Sequence, residues 1–190
     1  MTIYWGVVSS QPANVILPQT GNLALFDFVT TQQGTAPQFW GRYIAGKPDR
    51  YLLTAAERDF LFRKLCRILL IHYGVDPCGS HQQGARDATN AVNAAQTLHA
   101  PAGVSLYGDI ETKVFAHPDW LLGWWETMSA LYLNPGGFYC NTSPENALCF
   151  SNPYCAAITS PSNLNPDGTL RFNPPLSNRA VKPPTSITGI

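Results

Sequence analysis

The sequence predicts an α/β protein of the TIM-type (β/α) barrel class, on the basis of three observations. Short apolar runs alternate along the chain with stretches of helical periodicity, an order typical of parallel strands joined by crossover helices. Several runs end in polar or ionisable residues, as expected where strand ends converge on one mouth of a barrel. Neither a GxGxxG nor a GxxxxGK[ST] phosphate loop occurs, which argues against a doubly wound sheet built around a nucleotide.

Six short strands are predicted from apolar runs, at residues 23–29, 38–44, the second half of 68–73, 104–111, 136–141 and 154–158. The first predicted strand places Asp27 near its carboxyl end, and the second ends close to Arg42 and Tyr43. The third ends in His72 and Tyr73, and the fifth contains Tyr139 and Asn141.

Helices are predicted between these strands. Thr54 followed by Glu57 forms a capping box that starts the first one. Between residues 84 and 98 a narrow stripe of small apolar residues indicates a helix lying close against a sheet. A Trp-rich helix is predicted at 118–133, with at least two of its tryptophans in the core, and a further helical turn at 143–146.

A length of 190 residues suits one sizeable core and is short for a complete barrel of about 200 to 250 residues. Residues 161–190 contain six prolines and predict extended coil. The expected organisation is a barrel over residues 1–160, followed by a Pro-rich extension packed on the barrel or trailing from it. The barrel is expected to be imperfect or incomplete at its C-terminal strands.

The composition argues against some partners and favours another. Twelve basic and twelve acidic residues cancel, and 13% charged residues is low, so neither nucleic acid nor an anionic membrane surface is an expected partner. Many of the five Trp, eight Tyr and nine Phe must fill the core, but an aromatic-rich and charge-poor composition also suits a carbohydrate site, where rings stack on sugar faces. No apolar run reaches membrane-spanning length. The first residues do not resemble a secretory signal, so the localisation stays open, with export by another route as one possibility.

The five cysteines predict no cofactor site. Their spacings do not fit a zinc site, and buried free thiols are the default for cysteines without a pattern. One or two disulfides stay open if the protein is exported. We expect neither a metal nor an organic cofactor, and the oligomeric state is not predicted.

The most informative segment is 104–111, an apolar strand that ends in two acids. Alternation along a strand puts one set of side chains on a single face, namely Ser105, Tyr107, Asp109 and Glu111. Burying two carboxyl groups together costs stability, and general acid/base catalysis is one reason to accept that cost. The alternative is a strand that has simply reached solvent.

The succession of motifs also resembles a known family over roughly residues 23 to 141, through FWGRYI, LTAAE, GARDATNAVNAAQTLHAP, VSLYGDIE and GGFYCN. The chain is similar to the DUF1906 group of glycoside-hydrolase-like domains, which are akin to family 25 lysozymes. The resemblance implies a TIM-like barrel with an acidic mouth. It also implies that Asp27 is the first-strand acid, Asp109 the first acid of the fourth-strand pair, and Glu111 the second acid and proton donor.

The remaining candidate residues are assigned to substrate binding: Arg42, His72, Tyr73, Tyr107, Tyr139 and Asn141. For Arg42 a structural salt bridge is an equal alternative, and for His72 a core or rim position is the commoner one. The three tyrosines are expected to line a sugar cleft or to serve as packing.

Two functional hypotheses follow, with a third that is weaker. The first is a glycosidase that cleaves a β-linked amino-sugar polymer such as peptidoglycan, using Asp109 and Glu111. The second is a glycan-binding or interaction module without turnover. The third, a barrel phosphodiesterase, needs a metal held by converging carboxylates and histidines, which the sequence supplies poorly.

Overall fold

The computed structural model describes residues 4–73, 79–110, 115–132, 137–140 and 150–169. Five strands and five helices occur in this part of the chain, in the order β1 (Gly6–Val8), α1 (Leu25–Gln33), β2 (Phe39–Ala45), α2 (Ala55–Arg63), β3 (Arg67–Tyr73), α3 (His81–Thr97), β4 (Leu106–Ile110), α4 (Pro118–Tyr132), β5 (Phe138–Cys140) and α5 (Ser151–Thr159). Short 3₁₀ turns lie at Pro18–Thr20, Asp49–Tyr51 and Pro161–Asn163.

The fold is mixed α/β, with one parallel five-stranded sheet in the order β1-β2-β3-β4-β5. Strand order follows chain order, as expected when each strand is joined to the next by a crossover helix. The predicted α/β class with parallel strands is therefore confirmed. A closed eight-stranded barrel is not shown by these five strands, and closure stays a prediction.

The described residues divide into two compact units between Leu70 and Ile71, a boundary that falls inside β3. The first unit holds β1, α1, β2, α2 and the start of β3. The second holds the end of β3 and all later elements. The predicted division at residue 160 stays a prediction.

The core of the first unit is built around Trp40 of β2, which is fully buried. The ring of Phe26 from α1 lies 5.7 Å from it, centroid to centroid, and Val7 of β1 packs against the same cluster. Leu61 and Cys66 complete the buried group. Burying each large side chain here contributes about 1.5 to 3 kcal/mol, so this cluster holds α1 and α2 on the β1–β2 ribbon.

In the second unit α3 and α4 cross at glycines. A Cβ on Gly84 would overlap the carbonyl oxygen of Trp120, and a Cβ on Gly123 would overlap the carbonyl oxygen of His81. Only glycine lets the two backbones approach this closely. Of the predicted stripe of small residues, Ala88, Val92 and Ala95 are buried and Ala85 is half-buried. The predicted helix is therefore confirmed, but the close approach at Gly84 is to α4, whereas the sequence predicted one to the sheet.

The first and last predicted strands are wrong. Residues 23–29 belong mainly to helix α1, which runs on to Gln33 and ends at Gly34 with a φ of 70°. Its buried Leu25, Phe26 and Val29 follow helical spacing, which a seven-residue window does not reveal. Residues 154–158 likewise lie in helix α5 rather than in a strand.

Other sequence predictions are confirmed, with adjusted boundaries. Strands β2, β3, β4 and β5 and helices α2, α3 and α4 lie where the sequence placed them, and Trp120, Trp124 and Trp125 are all buried. Strand β1 was not predicted, because three residues are too few to show a period. The helical turn predicted at 143–146 lies outside the described residues.

Candidate functional site at the end of strand β4

The helix side of strand β4 is identified by its glycine. A Cβ on Gly108 would lie 3.2 Å from the ring of Trp120 and 3.5 Å from the ring of Trp124, both on α4. Because successive side chains on a strand point to opposite faces, Asp109 lies on the face turned away from α4.

Asp109 is fully buried at the carboxyl end of β4. Its partner in the register of the parallel pair is Tyr139 of β5, so both side chains lie on the same face of the sheet. Tyr107, two residues earlier, shares this face and lies close to the backbone of Gly137. A Cβ added at Gly137 would lie 2.8 Å from the tyrosine ring. One acid and two half-buried tyrosines thus lie together.

Cys140 shows how sheltered this region is. Burial raises the pKa of its thiol to about 12, and the negative charge of Asp109 adds to the effect. A thiol with such a pKa stays protonated and is a poor nucleophile. Cys66, Cys140 and Cys155 are free thiols. Cys66 is buried, as the sequence predicted by default, whereas Cys140 is half-buried and Cys155 is exposed.

Two of the predicted site residues, Glu111 and Asn141, lie outside the described residues. The placement of Asp109 and Glu111 on one face therefore stays a prediction. Of this pair the structure describes Asp109, a buried carboxyl group at the expected strand end.

His72 of β3 faces the helices rather than the opposite side of the sheet. Its ring centroid lies 5.6 Å from that of Trp124, and 1% of the residue is exposed. Burial lowers the pKa of this imidazole, while the nearby carboxylate of Asp87 works in the opposite direction. This is the core position that the alternative interpretation described, and it gives no support to substrate contact. Tyr73, the next residue, lies on the opposite face and is half-buried.

Sequence reasoning did not single out Asp87, a buried acid on α3. Its Oδ2 accepts a hydrogen bond of 2.9 Å from Nε1 of Trp120 on α4. One sequence feature could have pointed to Asp87: it is an acid within the small-residue stripe of the helix, three residues after Gly84 and one before Ala88. Together with His72 it forms a polar cluster inside the helix layer.

Arg42 of β2 makes a buried ion pair instead of lying at an open rim. Its Nε is 2.8 Å from Oε1 of Glu57, and both side chains are fully buried. The guanidinium also donates to the carbonyl of Ser9 at 2.7 Å, and Glu57 accepts from the amide of Ala13 at 2.7 Å. Burial raises the pKa of Glu57, against the opposing effects of the Ala13 amide and Arg42. Arg42 therefore makes a structural salt bridge, the alternative to substrate binding that the sequence left open.

Glu57 also completes only half of the predicted capping box. Thr54 accepts a hydrogen bond from the amide of Glu57 at 3.2 Å, so the N-cap itself is confirmed. The carboxylate of Glu57 turns instead to Arg42 and Ala13, and so it links α2 to β2 and to the segment that follows β1.

Asp27 lies in the first turn of α1, so the strand-end argument for choosing it does not hold. Its carboxylate is 2.6 Å from Nζ of Lys64, with 38% of its side chain exposed. The first strand of the structure is Gly6–Val8, which is followed by Ser9 and Ser10 and carries no acid. A catalytic role for Asp27 stays a prediction without support from its surroundings.

The described part of the chain offers neither a metal-binding cluster nor a membrane-spanning helix. No group of three or more His, Cys, Asp or Glu side chains there is arranged to hold a metal ion. None of the helices found there combines the length and the apolar character needed to cross a membrane.

Comparison with solved structures shows the fold of this chain in another protein. An uncharacterized protein of B. stearothermophilus matches with a TM-score of 0.69 and 24% identity, over 90% of this chain and 82% of that one. The modular autolysin LytC of Streptococcus pneumoniae matches with a TM-score of 0.47 and 15% identity, over 60% of this chain and 28% of that one.

The Tat-secreted protein Rv2525c of Mycobacterium tuberculosis, in complex with L-tartrate, matches with a TM-score of 0.47 and 14% identity, over 60% of this chain and 62% of that one. No protein-family model matches the chain, and no curated protein matches it. These likenesses concern the fold and assign no activity.

Proposed function

We propose that this protein is a glycoside hydrolase that cleaves a β-linked amino-sugar polymer of the peptidoglycan type. The observation that carries the proposal is the complete burial of Asp109 at the carboxyl end of β4, on the face away from α4. A carboxyl group is expensive to bury, and in parallel α/β folds reactive groups gather at the carboxyl ends of strands.

Each residue has a defined role in the proposed reaction. Glu111, two residues beyond Asp109, is the general acid that protonates the glycosidic oxygen. Asp109 as a carboxylate stabilises the positive charge that develops on the sugar ring, or orients an N-acetyl group. Tyr73, Tyr107 and Tyr139 supply aromatic faces for the sugar, and Asn141 a hydrogen-bonding amide. Arg42 and His72 are left out because their contacts lie within the protein.

The decisive experiment is incubation with purified bacterial sacculi, followed by mass spectrometry of the released products. Removing a general acid typically costs 10²- to 10⁴-fold in rate, so Glu111→Gln should reduce product to near background, and Asp109→Asn should also lower it. Glu126→Gln and Asp59→Asn are matched controls, since both change exposed acids that pair with neighbouring surface side chains. Full activity of Glu111→Gln, with its fold intact by circular dichroism, would remove the mechanism.

A second candidate is a glycan-binding module without turnover. It is favoured by the first strand, where Ser9 and Ser10 stand after β1 and no acid is present. Saturable binding to sacculi without any released product over long incubation would support this function, and product formation would exclude it.

Three further features belong to the same proposal. The sheet is part of a barrel-type architecture, and the chain is kin to the DUF1906 group and more distantly to family 25 lysozymes. Residues 1–160 form the catalytic body, and 161–190 form an extension. A polymer substrate in the bacterial wall also implies that the protein acts outside the cytoplasm.

A further inference from the structure

The loop between β2 and α2 is held in a fixed shape by backbone hydrogen bonds. The amide of Leu53 donates to the carbonyl of Tyr43 at 2.7 Å, and the amide of Tyr51 donates to the carbonyl of Pro48 at 2.9 Å. A parallel bridge between Tyr43 and Leu52 fixes the end of the loop on β2. The backbone positions from which the side chains of this loop extend are therefore fixed.

Two cations of this loop lie against tyrosine rings. Nζ of Lys47 is 5.0 Å from the ring centroid of Tyr43, and Cζ of Arg50 is 4.7 Å from that of Tyr51. Such contacts attract a cation to the face of the ring and restrict its position. Arg50 is solvent-exposed, and a guanidinium can donate two N–H groups at once to a carboxylate or a phosphate.

The position of the loop matches that of ligand sites in parallel sheets. It follows Ala45 at the carboxyl end of β2, and β1 runs parallel to β2, so both strands end at the same edge. Ligands of α/β proteins bind outside that edge. The loop brings two cations and one acid, Asp49, into a chain whose net charge is zero.

We propose that Lys47 and Arg50 form a subsite for the anionic groups of a cell-wall glycan. The choice of polymer depends on the proposed function. Bacterial wall polymers carry carboxylates on their peptide stems and phosphodiesters on attached polymers, and an ammonium and a guanidinium on one loop suit both groups. The half-buried ring of Tyr51 adds an apolar surface next to the cations.

The test measures co-sedimentation with sacculi in a Glu111→Gln background, so that turnover does not change the ligand. Lys47→Gln with Arg50→Gln should weaken binding about tenfold, as the loss of two charge contacts near the surface predicts, and added salt should reduce the difference. The matched control is Arg63→Gln with Arg67→Gln, because both cations are exposed and Arg67 also lies over a tyrosine ring, at 5.5 Å from Tyr4. Arg67 begins β3, at the opposite edge.

The source of the anion is identified by altering the sacculi. Removal of phosphate polymers with hydrofluoric acid and amidation of the stem carboxylates are separate arms, and loss of the tenfold difference in one arm names the group bound. Equal binding by the two double variants would overturn the subsite. Equally tight binding of single-stranded DNA would assign the cations to a general polyanion surface and would also overturn it.

The two proposals fail in different ways. Full product release by Glu111→Gln with a tenfold binding loss in the loop variant would remove the mechanism and keep the subsite. Loss of product by Glu111→Gln with no binding loss in the loop variant would do the reverse.

Discussion

Trp120 donates its indole N–H to Oδ2 of Asp87 across 2.9 Å, and this buried hydrogen bond joins α4 to α3. An acid with 3% of its surface exposed needs such a donor, because an unsatisfied buried charge is costly. The same carboxylate also acts on His72 of β3. One side chain thus connects two helices and the sheet of the second unit.

Replacing Trp120 by Phe should destabilise the protein by about 1 to 3 kcal/mol, since it leaves the Asp87 carboxylate without its indole donor. Asp87→Asn should cost less, because its amide oxygen can still accept the bond. The midpoint of urea unfolding measures both. Equal stability of Trp120→Phe and the unaltered protein would show that the hydrogen bond makes no net contribution.

The glycine crossing of α3 and α4 gives a steric prediction. Gly84→Ala and Gly123→Ala should each lower the free energy of unfolding by about 1 to 3 kcal/mol or more, because the new methyl group would overlap a backbone carbonyl of the other helix. Asn90→Ala, on the exposed side of α3, is the control and should be neutral or slightly stabilising. A stabilising Gly84→Ala would mean that the helices lie farther apart.

The buried imidazole of His72 gives a pH prediction. Its pKa is lowered in the folded state, so the unfolded chain binds more protons between the ordinary pKa of about 6.5 and the lowered value. Stability should therefore be complete above about pH 6.5 and decline as the pH falls through this window. Denaturant unfolding at a series of pH values measures the slope.

His72→Phe should remove that slope and keep the ring contact with Trp124. The control is His99→Asn, at an exposed residue with a φ of 55°, a backbone region that Asn tolerates; it should keep the slope. An unchanged slope in His72→Phe would assign the pH dependence to another group.

The ion pair of Arg42 and Glu57 should behave differently from that of Lys64 and Asp27. Arg42→Met strands a fully buried carboxylate and should cost about 3 to 5 kcal/mol, and the double change of Arg42 and Glu57 to Met should cost less than the two single changes added together. Asp27→Asn removes a half-exposed pair and should cost at most about 1 kcal/mol. Denaturant unfolding of each variant measures these changes in the free energy of unfolding. If the effects of the Arg42 and Glu57 changes simply add, the two side chains are not energetically coupled.

The middle of the fold was predictable because its elements carry distinct signals. Strand β4 has clear alternation, α3 has a long small-residue stripe, and Thr54 is an unambiguous N-cap. At α1 and α5 a window of five to seven apolar residues fits a strand as well as a buried helix. For α1, the helix is distinguished from a strand only by its continuation to Gln33 and its end at Gly34.

The candidate site was only partly predictable because adjacent residues on a strand face opposite sides. The sequence places Arg42 beside Tyr43 and His72 beside Tyr73 at two strand ends, and gives no indication of which member of each pair meets the helices. The helices show which residue faces them, because Glu57 on α2 pairs with Arg42 and Trp124 on α4 contacts His72. At β4 the face of Asp109 follows from strand geometry, because Gly108 lies against α4 and marks the helix side, whereas the pairing with Glu111 stays a prediction.

The tyrosine opposite Asp109 gives the prediction that separates substrate binding from packing. If the ring of Tyr139 contacts the sugar, Tyr139→Ala should weaken binding to sacculi about tenfold and Tyr139→Phe much less, because stacking needs the ring and not the hydroxyl. Tyr154→Phe is the control, since this ring packs against Phe150 at 5.3 Å between centroids, and the change should leave affinity unchanged. Unaltered binding by a folded Tyr139→Ala, with reduced unfolding free energy, would assign the ring to packing beside the buried acid.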